Sequence, residues 1–400
     1  MSTVGEESPH PPSLRVCMLL HKDVSHDTRV RREAAALAGA GHEVTVVHLP
    51  PPDARPEPDE LGFGLVPATL RRGRQRLPHA VRLGIEAARL GGRSAGTRPD
   101  VIHAHDAAML LPGLLAARLS GARLVYDSHE LATGVPYRRG AWPKVVAATE
   151  RLGAPRTDAV IAVSDGIATR LNGLYRLRRA ATVIRNLPDL PPPGAAPAPD
   201  LRRELGVGDA PLVLHQGAVA PGRGGEVLLQ ALALLPEAQL LFLGAEGAHA
   251  DALRERSRTL GAAERTHFLE PVAPSALLSH TCQADVGVSL LQDSCENHRL
   301  ALPNKLFEYL AAGLPVVVSE LPEMARLVRE RGIGWCANPA EPASVAAALH
   351  EALARSGDEE VRARVTRAAA ELNWQREKER LLELYAELGE GAGVSAGAGR

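Results

Sequence analysis

The sequence predicts an α/β protein made of two doubly wound domains that face one another across a cleft. Short apolar runs that are typical of buried parallel strands recur along the whole chain, and most of them precede a helical pattern. A Pro-rich stretch at residues 190–200 divides the chain into two parts of similar length. With 400 residues, the chain is also too long for a single hydrophobic core.

The Pro-rich stretch sets the predicted domain boundaries. We expect one doubly wound domain over residues 14–189 and a second over 201–372, joined by the linker at 190–200. We expect a C-terminal helix at 373–388 to pack back across the cleft. The remaining predictions are a disordered start at 1–13, an irregular Pro-rich segment at 50–66 and a loose tail at 389–400.

Polar clusters follow the predicted strands of the first domain. The strand at Val16–His21 leads into HKDVSHDT, the strand at 100–105 into Asp106, and the strand at 122–126 into DSHE. A further strand at 158–163 leads into Ser164. Because the carboxyl ends of parallel strands meet at one edge of a sheet, these clusters are expected to converge on the cleft.

The stretch LALPNKLFEYLAAGLPVVV, at 300–318, predicts a helix at 304–312 that ends at Gly313 and precedes a buried strand. A helix N-terminus presents free N–H groups and a partial positive charge, which suits a phosphate. Glu308 could accept hydrogen bonds from two sugar hydroxyls. The alternative is a helix packed on a sheet, with Lys305 and Glu308 as a solvated pair, and the residues alone do not separate the two.

Composition excludes some classes of partner. The net charge is −1, and the basic excess of the first half is mild, so nucleic acid is not expected. The segment 71–82 carries Arg71, Arg72, Arg74, Arg76 and Arg82; it predicts either a helix on anionic lipid or, more often for such patterns, a core-packed helix with arginines in water.

The sequence contains no apolar signal core and no apolar run of about 18 residues, so no membrane span is expected. Its four cysteines lack metal-ligand spacing and are interpreted as ordinary thiols in a reducing compartment. We therefore expect a cytoplasmic protein, with peripheral contact at the inner face of the plasma membrane as a further expectation.

Several segments resemble the GT-B glycosyltransferases of family 4, a large retaining group, in the order found in that family and over nearly the whole chain. They are DTRVRREAAALAGAGHEVTVV, DVIHAHDAAMLLPGLLAARLSGARLVYDSHE, DAVIAVSDGI, VIRNLP, HQGAVAPGRGGEVLLQAL and LPNKLFEYLAAGLPVV. The resemblance implies two Rossmann-like domains, with the acceptor bound by the N-terminal domain and a nucleotide-sugar donor by the C-terminal one.

The resemblance also assigns roles to residues. Glu308 would bind the donor ribose, and Arg223 stands where the family usually has a phosphate-binding lysine, backed by main-chain amides around Gly217. His129 matches a histidine that contacts the transferred sugar; the alternative is a hydrogen-bonded core histidine. Asn304 and Lys305 complete the expected donor site, and Lys305 joins His129 and Arg223 as a catalytic residue.

The match departs from the family pattern at three places. Leu300 stands where the first glutamate of the Glu-x7-Glu motif is expected, and Ala218 lies near the position of a second phosphate-binding cation. The opening loop has no Gly-Gly pair and instead offers His26, Asp27 and Arg29, which we expect to meet the acceptor or the donor phosphates. An N-cap at Asp27 or Thr28 is the alternative for that loop.

The implied reaction is retaining transfer of a sugar from a nucleotide-sugar, with UDP as the expected nucleotide, to an acceptor hydroxyl. No cofactor and no metal are expected. The alternatives are a sugar-nucleotide epimerase or phosphorylase of the same fold and a non-catalytic GT-B partner or glycan-binding protein. The acceptor stays open between a small molecule, a glycan and a lipid-linked molecule, and the Ala-, Arg- and Gly-rich composition favours a bacterial source.

Overall fold

The computed structural model describes residues 13–50, 62–68, 79–135, 142–190 and 200–396, without the side chains of 26, 79–84 and 391–396. These residues form two parallel sheets, one in each half of the chain, each covered by helices on both faces. This is the two-domain α/β architecture that the sequence predicts.

The N-terminal sheet has the strand order β3-β2-β1-β4-β5-β6-β7, and all its described pairs are parallel. Its strands are β1 (Arg15–Leu19), β2 (Glu43–His48), β3 (Gly64–Pro67), β4 (Val101–His105), β5 (Arg123–Ser128), β6 (Ala159–Ala162) and β7 (Thr182–Val183). Its helices are α1 (Thr28–Gly39), α2 (His79–Gly96), α3 (Asp106–Ser120), α4 (Trp142–Gly153) and α5 (Asp165–Leu174).

The C-terminal sheet has the order β10-β9-β8-β11-β12-β13 and is also parallel in its described pairs. Its strands are β8 (Leu212–Gln216), β9 (Gln239–Leu243), β10 (Thr266–Leu269), β11 (Val286–Ser289), β12 (Val316–Ser319) and β13 (Gly334–Ala337). The helices are α6 (Leu201–Glu204), α7 (Gly225–Leu232), α8 (Gly247–Thr259), α9 (Pro274–Thr281), α10 (Glu296–Leu300), α11 (Asn304–Ala311), α12 (Pro322–Arg331), α13 (Pro342–Arg355), α14 (Glu359–Glu371) and α15 (Trp374–Ala396).

Both sheets reverse their winding next to the first strand of the domain. The reversal lies between β1 and β4 in one sheet and between β8 and β11 in the other. In open α/β sheets, ligands bind outside the carboxyl ends of the strands at such a point. The loops that follow these four strands are therefore the expected ligand-binding region.

Two edge strands were not predicted. The segment 50–66 was expected to be irregular, but Gly64–Pro67 forms β3, whose Thr45↔Gly64 to His48↔Pro67 register places it at the edge of the sheet. β13 lies at the opposite edge of the other sheet and was also missed. Both are four residues long, and an edge strand tolerates Gly and Pro, so neither leaves a clear apolar run in the sequence.

The C-terminal helix α15 packs on the N-terminal domain. Trp374, Leu381 and Tyr385 are buried in the same cluster as Val16 and Met18 of β1, on the sheet face that α1 also covers. The loose tail predicted for 389–400 is wrong over its first part, because α15 continues to Ala396.

Some predicted features fall outside the described residues. Residues 1–12, most of the segment 50–66 and the linker residues 191–199 belong to this group, as do Arg71, Arg72, Arg74 and Arg76 and the side chain of Arg82. In the described part of the chain, no helix has both the length and the apolar character needed to cross a bilayer.

Candidate active site

A cavity of about 980 Å³ lies between the carboxyl ends of the two sheets. The N-terminal domain lines it through Lys22, Asp27 and His129, and the C-terminal domain through Arg223 and Glu308, among others. The predicted residues Gly217, Asn304, Lys305 and Arg29 border the same cavity. The structure thus brings together all the predicted site residues whose side chains it describes; the His26 side chain lies outside the described residues.

Helix α11 begins at the cavity. Asn304 is exposed there, while Lys305 is only 9% exposed and Glu308, one turn further on, borders the cavity from a half-buried position. Pro303 precedes the helix and supplies no side-chain cap. The first amides of α11 therefore lack a side-chain acceptor and lie beside the cavity, as a phosphate-binding helix terminus requires.

Lys305 is held in an environment that disfavours its charge. Its Nζ lies 3.4 Å from Nε2 of the buried His215. Burial, together with repulsion from Arg223, lowers the pKa of Lys305 to about 7, although Glu308 opposes this shift. An anionic ligand at this point would restore the ammonium form, because opposite charge at short range favours the charged state.

Glu308 is positioned by an amide that the sequence analysis did not single out. Nε2 of Gln216 donates to Oε2 of Glu308 at 2.5 Å, and the Thr281 hydroxyl donates to Oε1 of Gln216 at 2.5 Å. Burial raises the pKa of Glu308, whereas the Gln216 donor opposes that rise. The Gln216 amide was part of the quoted motif HQG, but nothing in its spacing to Glu308 indicated the contact.

The loop after β8 depends on glycine for its shape. Gly217, Gly222 and Gly224 have φ values of 86°, 78° and 87°, a region that L side chains rarely adopt. A Cβ on Gly224 would lie 2.3 Å from the Leu290 carbonyl oxygen. These turns leave Arg223 exposed at the cavity, and its guanidinium makes no ion pair with a described residue.

Two main-chain amides of this loop already donate to carbonyls of the protein. The Gly217 amide donates to the Leu243 carbonyl at 2.8 Å, and the Arg223 amide donates to the Ala220 carbonyl at 3.2 Å. These two N–H groups already have acceptors within the protein, so main-chain support for Arg223 would have to come from other amides near Gly217. The Arg223 side chain and the start of α11 remain as donors.

Arg29 also differs from its expected role. Although it borders the cavity, it is 3% exposed, and its guanidinium donates to both oxygens of Asp127 at 2.8 and 2.9 Å. It also pairs with Glu33 at 3.0 Å and donates to the Ile184 carbonyl at 3.0 Å. Arg29 is a buried structural cation, and the prediction that it meets the acceptor or the phosphates is wrong.

Asp27 caps α1, which was the alternative for this loop. Its Oδ1 accepts from the Val30 amide at 3.1 Å, and its Oδ2 pairs with Lys22 at 3.0 Å. Lys22 is exposed and lines the cavity, so it offers the positive charge that Arg29 does not. The carboxylate of Asp27 is 5% exposed and acts through Lys22 and the helix start.

His129 stands at the end of β5 with two carboxylates beside it. Its Nε2 lies 3.2 Å from Oδ2 of Asp127 and 3.1 Å from Nδ1 of His105, and its Nδ1 lies 3.6 Å from Oδ2 of Asp106. Burial alone would lower the pKa of His129, but Asp106 and Asp127 outweigh it and raise the pKa to about 9. The imidazole is therefore a cation at neutral pH.

Asp106, the first residue of α3, has φ 66°, an uncommon conformation for a residue other than glycine. This turn places its carboxylate 3.9 Å from His21 as well as beside His129. Strain of this kind persists where surrounding structure holds it, and it is common at functional sites. The sequence placed Asp106 in a polar cluster but did not indicate its strained backbone.

A buried polar network lies behind His129. Glu33, His103, His105 and Asp127 each offer a possible ligand atom, and these atoms lie within 4.8 Å of one another. Arg29 already pairs with both carboxylates, and the rings of His103 and His105 are stacked at 4.2 Å and 19°. Nearly parallel rings cannot both direct an in-plane lone pair at one ion, so this geometry favours an ion-pair network over a metal site.

Leu300, which stands where the family motif has its first glutamate, contacts the N-terminal domain. Leu300 packs against the core of the N-terminal domain, and its carbonyl accepts from the Ser164 hydroxyl at 2.6 Å. Asn297, on the same short helix, accepts from the Leu131 amide at 2.8 Å. α10 therefore joins the two domains at the edge of the cavity.

Comparisons with known proteins match both halves of the chain. The model of Glycosyltransferase Family 4 matches residues 27–190, and that of Glycosyl transferases group 1 matches residues 210–355. This protein is a GT-B glycosyltransferase. The boundary between the two matches lies close to the Pro-rich stretch.

Relatives and solved structures of this glycosyltransferase agree with that assignment. Glycogen synthase of Mycobacterium tuberculosis is 26% identical over 371 residues, which cover 86% of this chain and 87% of the relative. D-inositol 3-phosphate glycosyltransferase of Geodermatophilus obscurus is 27% identical over 72% of this chain and 66% of the relative.

Two solved structures share the fold over nearly their whole length. Sucrose-phosphate synthase of Thermosynechococcus elongatus has a TM-score of 0.74 at 19% identity. The likeness covers 94% of this chain and 100% of the synthase chain. Anabaena HepE in complex with UDP has a TM-score of 0.72 at 17% identity. The likeness covers 93% of this chain and 100% of the HepE chain. At these identities the likeness shows the fold.

Proposed function

We propose that this glycosyltransferase transfers a sugar from a UDP-sugar to an acceptor hydroxyl, with retention at the anomeric carbon. The observation that carries the proposal is the composition of the two cavity walls. Arg223, Lys305 and Glu308 line the C-terminal side, and the charged His129 lines the N-terminal side. Cations suit a diphosphate, and a half-buried carboxylate suits ribose hydroxyls.

The proposed reaction needs no protein nucleophile. The bond from the anomeric carbon to the diphosphate oxygen breaks, and a bond to the acceptor oxygen forms on the same face of the sugar. The acceptor proton passes to the departing diphosphate. Arg223 and Lys305 stabilise the negative charge that develops on this leaving group, so we propose that no metal cofactor is required.

His129 serves as a hydrogen-bond donor in this proposal. Nε2 faces Asp127, while the distance of 3.6 Å from Nδ1 to Asp106 is longer than a hydrogen bond. The N–H at Nδ1 is thus left for an oxygen of the transferred sugar. A His129 that stays protonated cannot act as a general base, which agrees with proton transfer to the diphosphate.

The choice of UDP is supported at the level of the fold. HepE, which shares that fold, was solved in complex with UDP and with UDP-glucose. The relatives have names as different as glycogen synthase and D-inositol 3-phosphate glycosyltransferase, so the acceptor does not follow from them. The transferase relatives favour sugar transfer over the epimerase and the non-catalytic alternatives.

The proposal is tested by unfolding temperature with UDP, GDP, ADP and TDP added in turn. A ligand that binds only the folded state stabilises it by about 2.7 kcal/mol at a hundredfold excess over Kd. We expect UDP to raise the unfolding temperature of the wild type and of Glu383→Ala, an exposed control on α15, but not of Glu308→Ala. A shift with another nucleotide would change the donor; no shift with any of them would reject the proposal.

Binding of the diphosphate is expected to take up a proton at Lys305. Because the pKa of Lys305 is about 7 in the free protein, the amine is largely neutral at pH 8 and must be protonated to pair with phosphate. Affinity should therefore be greatest below pH 7 and fall by up to about tenfold per unit above it.

Calorimetry at pH 8 in two buffers of different ionisation enthalpy measures this uptake. We expect a value approaching one proton for the wild type and a clearly smaller value for Lys305→Met. In that variant, only ionisation of the nucleotide itself contributes to the uptake. Equal uptake by the two proteins would show that Lys305 does not pair with the diphosphate.

Loss of the Gln216 amide is expected to weaken recognition of the ribose. Gln216→Leu removes the donor that fixes Glu308, and hydrogen bonds to charged groups contribute about 1.5–3 kcal/mol. We expect roughly tenfold weaker binding of the nucleoside diphosphate identified above and little change for its 2′,3′-dideoxy counterpart, measured by calorimetry. Thr281→Val should give a smaller loss, and equal losses for both nucleotides would contradict this role.

A further inference from the structure

The outer surface of α3 and α4 differs from the rest of the N-terminal domain. α3 connects β4 to β5, and α4 connects β5 to β6, so both connections step in the same direction along the sheet. Because such crossovers are right-handed, both helices lie on the same face of the sheet. Leu110 of α3 meets the end of α4 at Gly153, so the two helices pack side by side.

This surface is unusually apolar. Six of the eight exposed large hydrophobic side chains among the described residues lie on these two helices. They are Leu111 (38% exposed), Leu115 (39%), Leu119 (64%), Trp142 (39%), Val145 (49%) and Leu152 (49%). We call them the α3–α4 face. On α3 they recur at i, i+4 and i+8, which places them on one side of the helix.

The exposed charges on α3 and α4 themselves have one sign. Arg118, Lys144 and Arg151 are exposed on the same helices and form no ion pair with a described residue. The acidic residues of α3 and α4 lie elsewhere: Asp106 is beside His129, and Glu150 is buried and accepts hydrogen bonds from two tyrosines. Neither helix exposes a carboxylate beside the leucines.

We propose that the α3–α4 face docks on the surface of an anionic lipid bilayer. Leucine, valine and tryptophan side chains enter the boundary between headgroups and acyl chains, and tryptophan is enriched at that depth. Lysine and arginine around them are attracted by anionic headgroups. Two copies of this chain would bring like charges together in a symmetric contact, so a lipid surface fits better than a second copy.

The face lies next to the cavity. α3 begins at Asp106, which is 3.6 Å from His129, and Leu111 follows about 7.5 Å further along the helix at 1.5 Å per residue. A bilayer on this face would therefore present an acceptor to the N-terminal side of the cavity. A lipid-linked acceptor follows from this placement only if the proposed function holds, whereas binding to the bilayer does not depend on it.

Flotation of the full chain with vesicles tests the proposal. We expect the protein to float with vesicles of phosphatidylcholine and phosphatidylglycerol in a 3:1 ratio at low salt, and to bind much less to pure phosphatidylcholine or in 0.5 M salt. Leu119→Glu with Val145→Glu should reduce binding at least tenfold. Lys144→Glu with Arg151→Glu should do the same without touching an apolar side chain.

Matched controls lie on the C-terminal domain. Leu234→Glu replaces an exposed leucine (56%), and Arg367→Glu an exposed arginine, and both variants should bind vesicles as the wild type does. The proposal is overturned if the wild type does not float with anionic vesicles, if the face variants float like the controls, or if light scattering shows that the face variants change only the oligomeric state. The nucleotide shift of the unfolding temperature, measured on the same samples, reports separately on the proposed function.

Discussion

Replacing Arg29 by leucine is expected to lower the free energy of unfolding by about 3–5 kcal/mol, because it leaves the buried carboxylate of Asp127 without the cation that hydrogen-bonds to it. Asp127 and Glu33 are both 0% exposed, and Arg29 donates to Asp127 and lies 3.0 Å from Glu33. Burial would raise the pKa of Asp127, but Arg29 and His129 outweigh it and hold the pKa well below its usual value. Asp127 is therefore charged in the interior and depends on Arg29.

Chemical denaturation measures this effect. Arg367→Leu, at an exposed site on α14, should change stability by less than about 0.5 kcal/mol. Adding Asp127→Asn to Arg29→Leu should recover part of the loss, because the orphaned charge is then removed. A loss below 1 kcal/mol, or a strictly additive double variant, would show that the ion pair does not hold this part of the domain together.

Replacing Arg223 by methionine is expected to lower the rate of sugar transfer by about 10²–10³, the range found when one donor to a developing negative charge is removed. Arg223 is exposed and has no ion-pair partner among the described residues, so its loss should leave stability almost unchanged. The effect should appear mainly in kcat, because charge on the diphosphate grows as the bond to the sugar breaks.

Steady-state kinetics with the donor found by the unfolding-temperature test gives the comparison. Arg223→Lys should recover part of the rate, since it keeps the charge but not the forked geometry. Arg256→Met, at an exposed position of α8, is the matched control and should behave as the wild type. A tenfold rise in KM with an unchanged kcat would instead place Arg223 in donor binding alone.

The sequence predicted the elements that have strong local signals. The helix at 304–312 was recognised because an amphipathic run ends at glycine and a buried strand follows, and the structure has it as Asn304–Ala311. The central strands were recognised because each is a short, continuous apolar run. The four-residue edge strands β3 and β13 were not, because few of their residues are fully buried and pairing with the neighbouring strand decides their conformation.

Side-chain partners were less predictable than positions. The sequence brought Arg29 to the correct loop, but its burial against Asp127 depends on a contact 98 residues away. The amide of Gly217 donates to the Leu243 carbonyl, a contact that the sheet geometry decides. The Gln216 side chain donates to Glu308, which lies 92 residues further along the chain. Local pattern carries no information on such contacts, so the site was predicted as a set of residues rather than as a set of bonds.

The packing of α15 on the N-terminal domain has a consequence for synthesis on the ribosome. Val16 and Met18 are made before the C-terminal domain, whereas Trp374, Tyr385 and Leu388, which cover them, are made after it. At 5–20 residues per second, roughly 10–40 s separate the end of the N-terminal sheet from the arrival of this helix. During that interval α1 alone would cover this apolar sheet face, and the part left exposed is a surface that chaperones bind.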